Sequence, residues 1–196
     1  MPGPQEALSP QHETEAYHSM NVLIVVDMQN DFISGALGSA QAQAIEPAVV
    51  ETILNFDGAI YFTLDTHQQN YLETQEGRRL PTAHCIAGTE GWTPSAAVWM
   101  ALMEQNVADE AHMVLKDAFG AKELPFRLHE DLGDDIREIT LVGLCTDLCV
   151  VSNALLLKSF FPEARIVVDS RCCAGTSREK HETALAAMRA CQIDVV

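Results

Sequence analysis

Six short runs of apolar residues punctuate this chain: Asn21–Val26, Ala59–Leu64, His112–Leu115, Ile139–Leu144, Arg165–Val168 and Ile193–Val196. Between them lie longer amphipathic stretches, Ala40–Asn55, Pro94–Asn106, Glu123–Leu132, Cys149–Phe161 and Ser177–Ala190. Short apolar runs alternating with helical patterns predict a parallel sheet. The runs are apolar at nearly every position, as strands are when helices cover both faces of the sheet. The expected fold is a single three-layer α/β/α domain with a six-stranded, Rossmann-like parallel sheet over residues 21–196. Gln68–Trp92 is the one long irregular stretch, and loops of that length in a compact domain are usually functional.

Composition narrows the function. Hydrophobic residues make up 47% of the 196, enough for a full-sized core. The formal net charge of -16 supplies no basic footprint for nucleic acid or an anionic membrane. No apolar stretch is long enough to span a bilayer. Residues 1–20 are polar, lack a signal-peptide pattern and read as a mobile leader. The six cysteines therefore read as reduced thiols, and the expected location is cytoplasmic.

The residues at the strand exits carry the chemistry. They are Asp27 in VVDMQNDF, Asp65 in FTLDTH, Lys116 in MVLKDAF, the segment GLCTDLCV, and Asp169 in VVDSRCC. In an open parallel sheet these positions share the edge where ligands bind. Asp27, Lys116 and a cysteine there supply a base, a cation and a nucleophile. Thr146 or Asp147 is the expected N-cap of the next helix, which puts Cys149 in its first turn. The helix dipole would there lower the thiol pKa, making Cys149 a better nucleophile than Cys145. The Cys149 N–H also lies where an oxyanion would form. Asp65 and His67 share a face if the strand continues, and His84 can close a site from the far end of the loop. One carboxylate and two imidazoles suit one divalent ion: Zn, Fe or Mn.

VVDMQNDF, the lysine of VLKDAF and GLCTDLCV, in this order from Asn21 onward, resemble the isochorismatase-like cysteine hydrolases. DTH followed by HCIAGTEGW resembles the nicotinamidase/pyrazinamidase branch. The resemblance implies a metal-assisted amidohydrolase that converts a small carboxamide to the acid and ammonia through a thioester. It implies Asp27 as general base, Lys116 as third triad member, Cys149 as nucleophile, and Asp65, His67 and His84 as metal ligands. It further implies a cis Leu144–Cys145 peptide, an oxyanion hole from the N–H groups of Cys145 and Cys149, Phe32 beside the substrate ring, and a homo-oligomer. The segment LPTAHC departs from the branch: Leu80 stands near the position of a pyridine-stacking Trp, and Trp92 is a candidate to replace it from elsewhere. The alternatives are a metal-independent hydrolase of another small amide or a vinyl ether, a thiol redox or sensor protein using Cys145 and Cys149, and a catalytically silent binding scaffold.

Overall fold

Strand propensity is concentrated where the side chains can be buried on two sides. In the computed structural model, which describes residues 20–196, Val22 through Val26 are all buried. This strand, β1 (Met20–Val26), is followed by α1 (Asn30–Ile33), α2 (Ala40–Asn55) and β2 (Ala59–Asp65). A 3-10 turn (Tyr71–Glu73) leads to α3 (Gln75–Arg79), α4 (Ala96–Glu104), β3 (Met113–Lys116), α5 (Leu124–Leu132) and β4 (Ile136–Leu144). A π-helical turn (Thr146–Val150) runs straight into α6 (Val151–Phe160), followed by β5 (Arg165–Ala174), α7 (Arg178–Ala190) and β6 (Asp194–Val195). The expected leader falls on residues outside the described ones, apart from Met20, which opens β1.

The six strands lie in the order β3-β2-β1-β4-β5-β6, and every pairing is parallel. The period-two alternation of a strand divides the core into two layers. Val22, Ile24 and Val26 face Leu128 of α5, Leu157 of α6 and Met188 of α7. Leu23 and Val25 face Ile45 and Val49 of α2 and Leu102 of α4. Strand order reverses between β1 and β4, which run from the first half of the fold to the second. A doubly wound sheet opens its ligand crevice at that point, beyond the carboxyl ends of the strands.

Three readings from the sequence need correction. First, β5 does not end at Val168. Leu141 opposes Val168 while Gly143 opposes Cys173, so the intervening residues of β5 form a bulge and pairing then resumes. Asp169 lies in this bulge, where both of its carboxylate oxygens bind the Arg171 guanidinium, and it takes no place at the crevice. Second, the irregular stretch is less irregular than expected, because Thr74 caps α3 by accepting from the Gly77 N–H. Third, neither Thr146 nor Asp147 caps its own turn; Cys145 stands at the cap position and its side chain makes no capping bond.

Close packing at the switch point depends on Gly143 in β4. Its φ is +117°, and a Cβ there would run into the carbonyl oxygen of Val26 on the neighbouring strand. Only glycine lets β1 and β4 approach this closely just before the crevice. Gly143→Ala is expected to cost about 3 kcal/mol or more through the clash and the backbone conformation together. Urea unfolding of the two chains measures this directly.

Candidate active site

Each candidate residue reaches the crevice from a different strand. Asp27 follows β1 and turns the chain with φ 48°. Asp65 and Lys116 are the last residues of β2 and β3, paired side by side. Cys149 stands in the π turn that follows β4. All four are buried, Asp27 completely. The Lys116 ammonium joins them: its Nζ lies 2.7 Å from Asp27 Oδ2, 2.9 Å from Asp65 Oδ1 and 3.4 Å from Cys149 Sγ. The ammonium donates to Asp65 Oδ1 and Cys149 Sγ, and its contact with Asp27 Oδ2 is an ion pair without an aligned hydrogen bond.

The local electrostatics follow from burial. Lack of water pushes the Asp27 carboxyl above the usual range, against the pull of Lys116, with Asp65 adding to the rise. Burial alone would lower Lys116, but Asp27, Cys149 and Asp65 outweigh it and hold the ammonium charged. For Cys149 the sequence-based expectation of a lowered pKa fails. Burial and the Asp27 carboxylate push the thiol well up, and Lys116 only partly opposes them. In this environment burial favours the protonated thiol, with the Asp27 carboxyl beside it, and the helix start does not override that. The Cys145 thiol is likewise pushed up, to about 12, by burial and by Asp147.

The turn carrying Cys149 is braced from outside. The Leu144–Cys145 peptide is cis. The Cys145 carbonyl accepts from the N–H groups of Leu148 (3.0 Å) and Val150 (3.1 Å), the residues on either side of Cys149. Asp147 accepts from the Thr176 N–H at 2.7 Å and its hydroxyl at 2.6 Å, and Thr146 bonds His181 at 2.8 Å. All six cysteines are free.

Beside this group, the nearest ligand atoms of Asp65, His67 and His84 lie within 4.8 Å of one another. Asp65 Oδ2 is 3.0 Å from His67 Nε2 and 3.4 Å from His84 Nε2. His67 Nε2 is buried without a hydrogen bond despite that proximity. The Thr82 carbonyl lies 2.8 Å from His84 Nδ1. A proton on Nδ1 satisfies that carbonyl and leaves Nε2 with a free lone pair. An orphaned imidazole nitrogen, a second one with its lone pair free and a carboxylate form a donor set that fits a divalent ion. Burial alone would raise the Asp65 carboxyl, but His67, His84 and Lys116 hold it well below the usual carboxylate range.

Four residues that the sequence did not single out support these groups. Thr63 donates to Asp27 Oδ1 at 2.6 Å. The buried Gln29 side chain accepts from the Asp65 N–H at 2.8 Å and donates to the Asp65 carbonyl at 2.9 Å, clamping that residue's backbone. Tyr71 packs against both imidazoles, with ring centroids 4.5 Å from His67 and 4.9 Å from His84. Asp31 accepts from the Cys85 N–H at 2.8 Å, tying the loop beside His84 to α1. Membership of the polar VVDMQNDF segment after β1 was the only available signal for Gln29 and Asp31.

A cavity of about 480 Å³ opens over the site, lined by Phe32, Leu80, Phe119, Asp65, His84 and Cys149 among others. The Phe32 ring lies 5.4 Å from that of His84. Leu80 is in the wall; Trp92 is not, because it packs at the edge of the core and its Nε1–H donates to Thr66 at 2.9 Å.

The isochorismatase domain model matches residues 21–196. The chain belongs to the isochorismatase family. An uncharacterised isochorismatase family protein, PncA of Bacillus subtilis, is 30% identical over 173 residues, covering 83% of this chain and 91% of that one. The crystal structure of the nicotinamidase/pyrazinamidase PncA from Bacillus subtilis superposes with a TM-score of 0.78 at 27% identity, over 90% of this chain and 99% of that one. The pyrazinamidase of Pyrococcus horikoshii in complex with zinc gives a TM-score of 0.75 at 26% identity, over 90% and 98% of the two chains. Within the isochorismatase family the chain thus stands near the nicotinamidase branch, and the six-stranded α/β architecture is the shared one. Among the described residues no helix is long and apolar enough to cross a membrane.

The clamp on Asp65 is testable through metal affinity. Gln29→Leu is expected to weaken zinc binding by about 10–100-fold, as loss of a ligand's supporting hydrogen bonds generally does. Competition with a chromogenic chelator reads it, and unchanged affinity would remove Gln29 from the support.

Proposed function

We propose that this protein is a metal-assisted cysteine amidohydrolase that converts a small carboxamide to its acid and ammonia. The family and the nicotinamidase and pyrazinamidase neighbours support a hydrolase of amide C–N bonds. The observation that carries the reading is the Lys116 ammonium, 2.7 Å from Asp27 Oδ2 and 3.4 Å from Cys149 Sγ, beside a cavity large enough for a small amide.

In the proposed mechanism Asp27 is the general base. Its Oδ2 makes an ion pair with Lys116 but no aligned hydrogen bond, so a lone pair is available for the thiol proton. Burial raises the proton affinity of this carboxyl, which favours its taking up the thiol proton. As the proton moves to Asp27, the Cys149 sulfur attacks the carboxamide carbon and Lys116 stabilises the developing thiolate. The N–H groups of Cys145 and Cys149 receive the oxyanion; in comparable sites one such donor is worth about 3–4 kcal/mol. Collapse breaks the C–N bond, and Asp27 returns the proton to the departing nitrogen, releasing ammonia. A water molecule then attacks the thioester, giving one proton to Asp27. The acid leaves, and Cys149 recovers its thiol from that proton. Asp65, His67 and His84 would hold one divalent ion: Zn, Fe or Mn. When bound, it supplies a Lewis acid at the cavity wall that can polarise water or accept a heteroatom of the substrate. Phe32 forms the wall beside the substrate.

Two variants separate the cysteines. Cys149→Ala is expected to lower ammonia release at least about 10⁴-fold while metal content stays unchanged. Cys145→Ala keeps the backbone N–H and should retain activity within about threefold. Full activity of Cys149→Ala in a coupled ammonia assay would overturn the reading.

A further inference from the structure

The cavity is cationic at its mouth in a chain that is strongly acidic. Arg79 and Lys180 line it, both exposed, whereas Cys149 is buried at 4% exposure and forms the floor. Among the described residues neither the Arg79 nor the Lys180 side chain makes an ion pair or a hydrogen bond, although the chain carries 28 acidic residues against 12 basic ones. Two carboxylates share the cavity, and both are turned elsewhere. Asp65 is engaged by Lys116 and the imidazoles, and Glu76 Oε1 lies 3.7 Å from His67 Nε2.

Helix electrostatics do not account for the lysine. Lys180 stands in the first turn of α7, where Ser177 is the N-cap. The positive end of the helix dipole disfavours a cation there. Arg79, in the last turn of the short α3, is at the end that favours one. Two unclaimed cations facing the same apolar space attract an anionic ligand, and arginine does so with a fork matched to a carboxylate. The wall between mouth and floor includes the aliphatic Leu80, so it offers no indole face there for a flat ring to stack on.

Resting on the amidohydrolase reading, we infer that the substrate is a small carboxamide bearing a carboxylate at the end away from the scissile amide, and that Arg79 and Lys180 bind that carboxylate. The carboxamide reaches Cys149 on the cavity floor and the anionic end stays at the mouth. This assigns a substrate class, the monoamides of dicarboxylic acids, and two specificity-determining residues.

The test uses the zinc-loaded full-length protein and two matched pairs of amides. One pair is the monoamide of butanedioic acid against butanamide; the other is pyridine-3-carboxamide with and without a 5-carboxylate. Ammonia release gives kcat/KM for each. The anionic member is expected to be preferred at least tenfold in one pair or both, and the preference should fall about tenfold in Arg79→Ala/Lys180→Ala. No preference in either pair, or a preference that the double variant retains, overturns the inference while leaving the amidohydrolase standing. Release of ammonia from none of the four overturns both. As a measurement independent of turnover, butanedioate should bind the Cys149→Ala protein and bind at least tenfold more weakly when Arg79 and Lys180 are also replaced; equal binding refutes the assignment.

Discussion

The Lys116 ammonium is the interaction on which the crevice depends. A buried cation costs several kcal/mol unless its partners replace water. Here two carboxylates do so, and they come from different strands, Asp27 after β1 and Asp65 at the end of β2. Lys116 itself comes from β3, on the edge of the sheet, and its side chain reaches past both neighbours to the sulfur on the far side of the switch point. The charge therefore ties together the ends of three strands and the turn following a fourth. Folding and the proposed chemistry make the same demand on this residue, since whatever satisfies the ammonium also positions the Asp27 carboxyl and the Cys149 thiol.

Much of this was legible in the chain. Ala40–Asn55 was predicted as a helix and forms one over those same residues, because Ser39 caps it and its buried positions recur at helical spacing. The strands begin near their apolar runs, and the convergence of Asp27, Lys116 and Cys149 follows from a parallel sheet having one carboxyl edge. The roles of these groups came from resemblance, and the geometry is compatible with them. What could not be read depends on partners distant in sequence. Thr63 meets Asp27 and Gln29 meets Asp65 across 36 residues, and no local pattern announces either contact. The β5 bulge escaped because register is a property of two strands together. The acidity of Cys149 was misjudged for a related reason: a helix start is visible in sequence, whereas burial next to a carboxylate is not.

The departure at Leu80 has a different character. The sequence showed that an aromatic residue was missing, and Trp92 was the obvious substitute. The structure directs Trp92 to Thr66 and the core margin instead. The cavity wall is consequently aliphatic at that point, between the buried Asp65 and His84 and the exposed Arg79 and Lys180.

Asp65 divides its two oxygens between neighbours of different kinds: Oδ1 receives the lysine, and Oδ2 faces the two imidazoles. Were the imidazoles lost, the carboxylate could not simply withdraw, because Gln29 grips its backbone on both sides. It would remain as a buried anion with one oxygen unsatisfied, competing with Asp27 for the same ammonium. The histidines are thus not a detachable accessory to the cysteine machinery. A chain that discarded them would have to change Asp65 at the end of β2 as well, because its Oδ2 would otherwise stay buried without a partner.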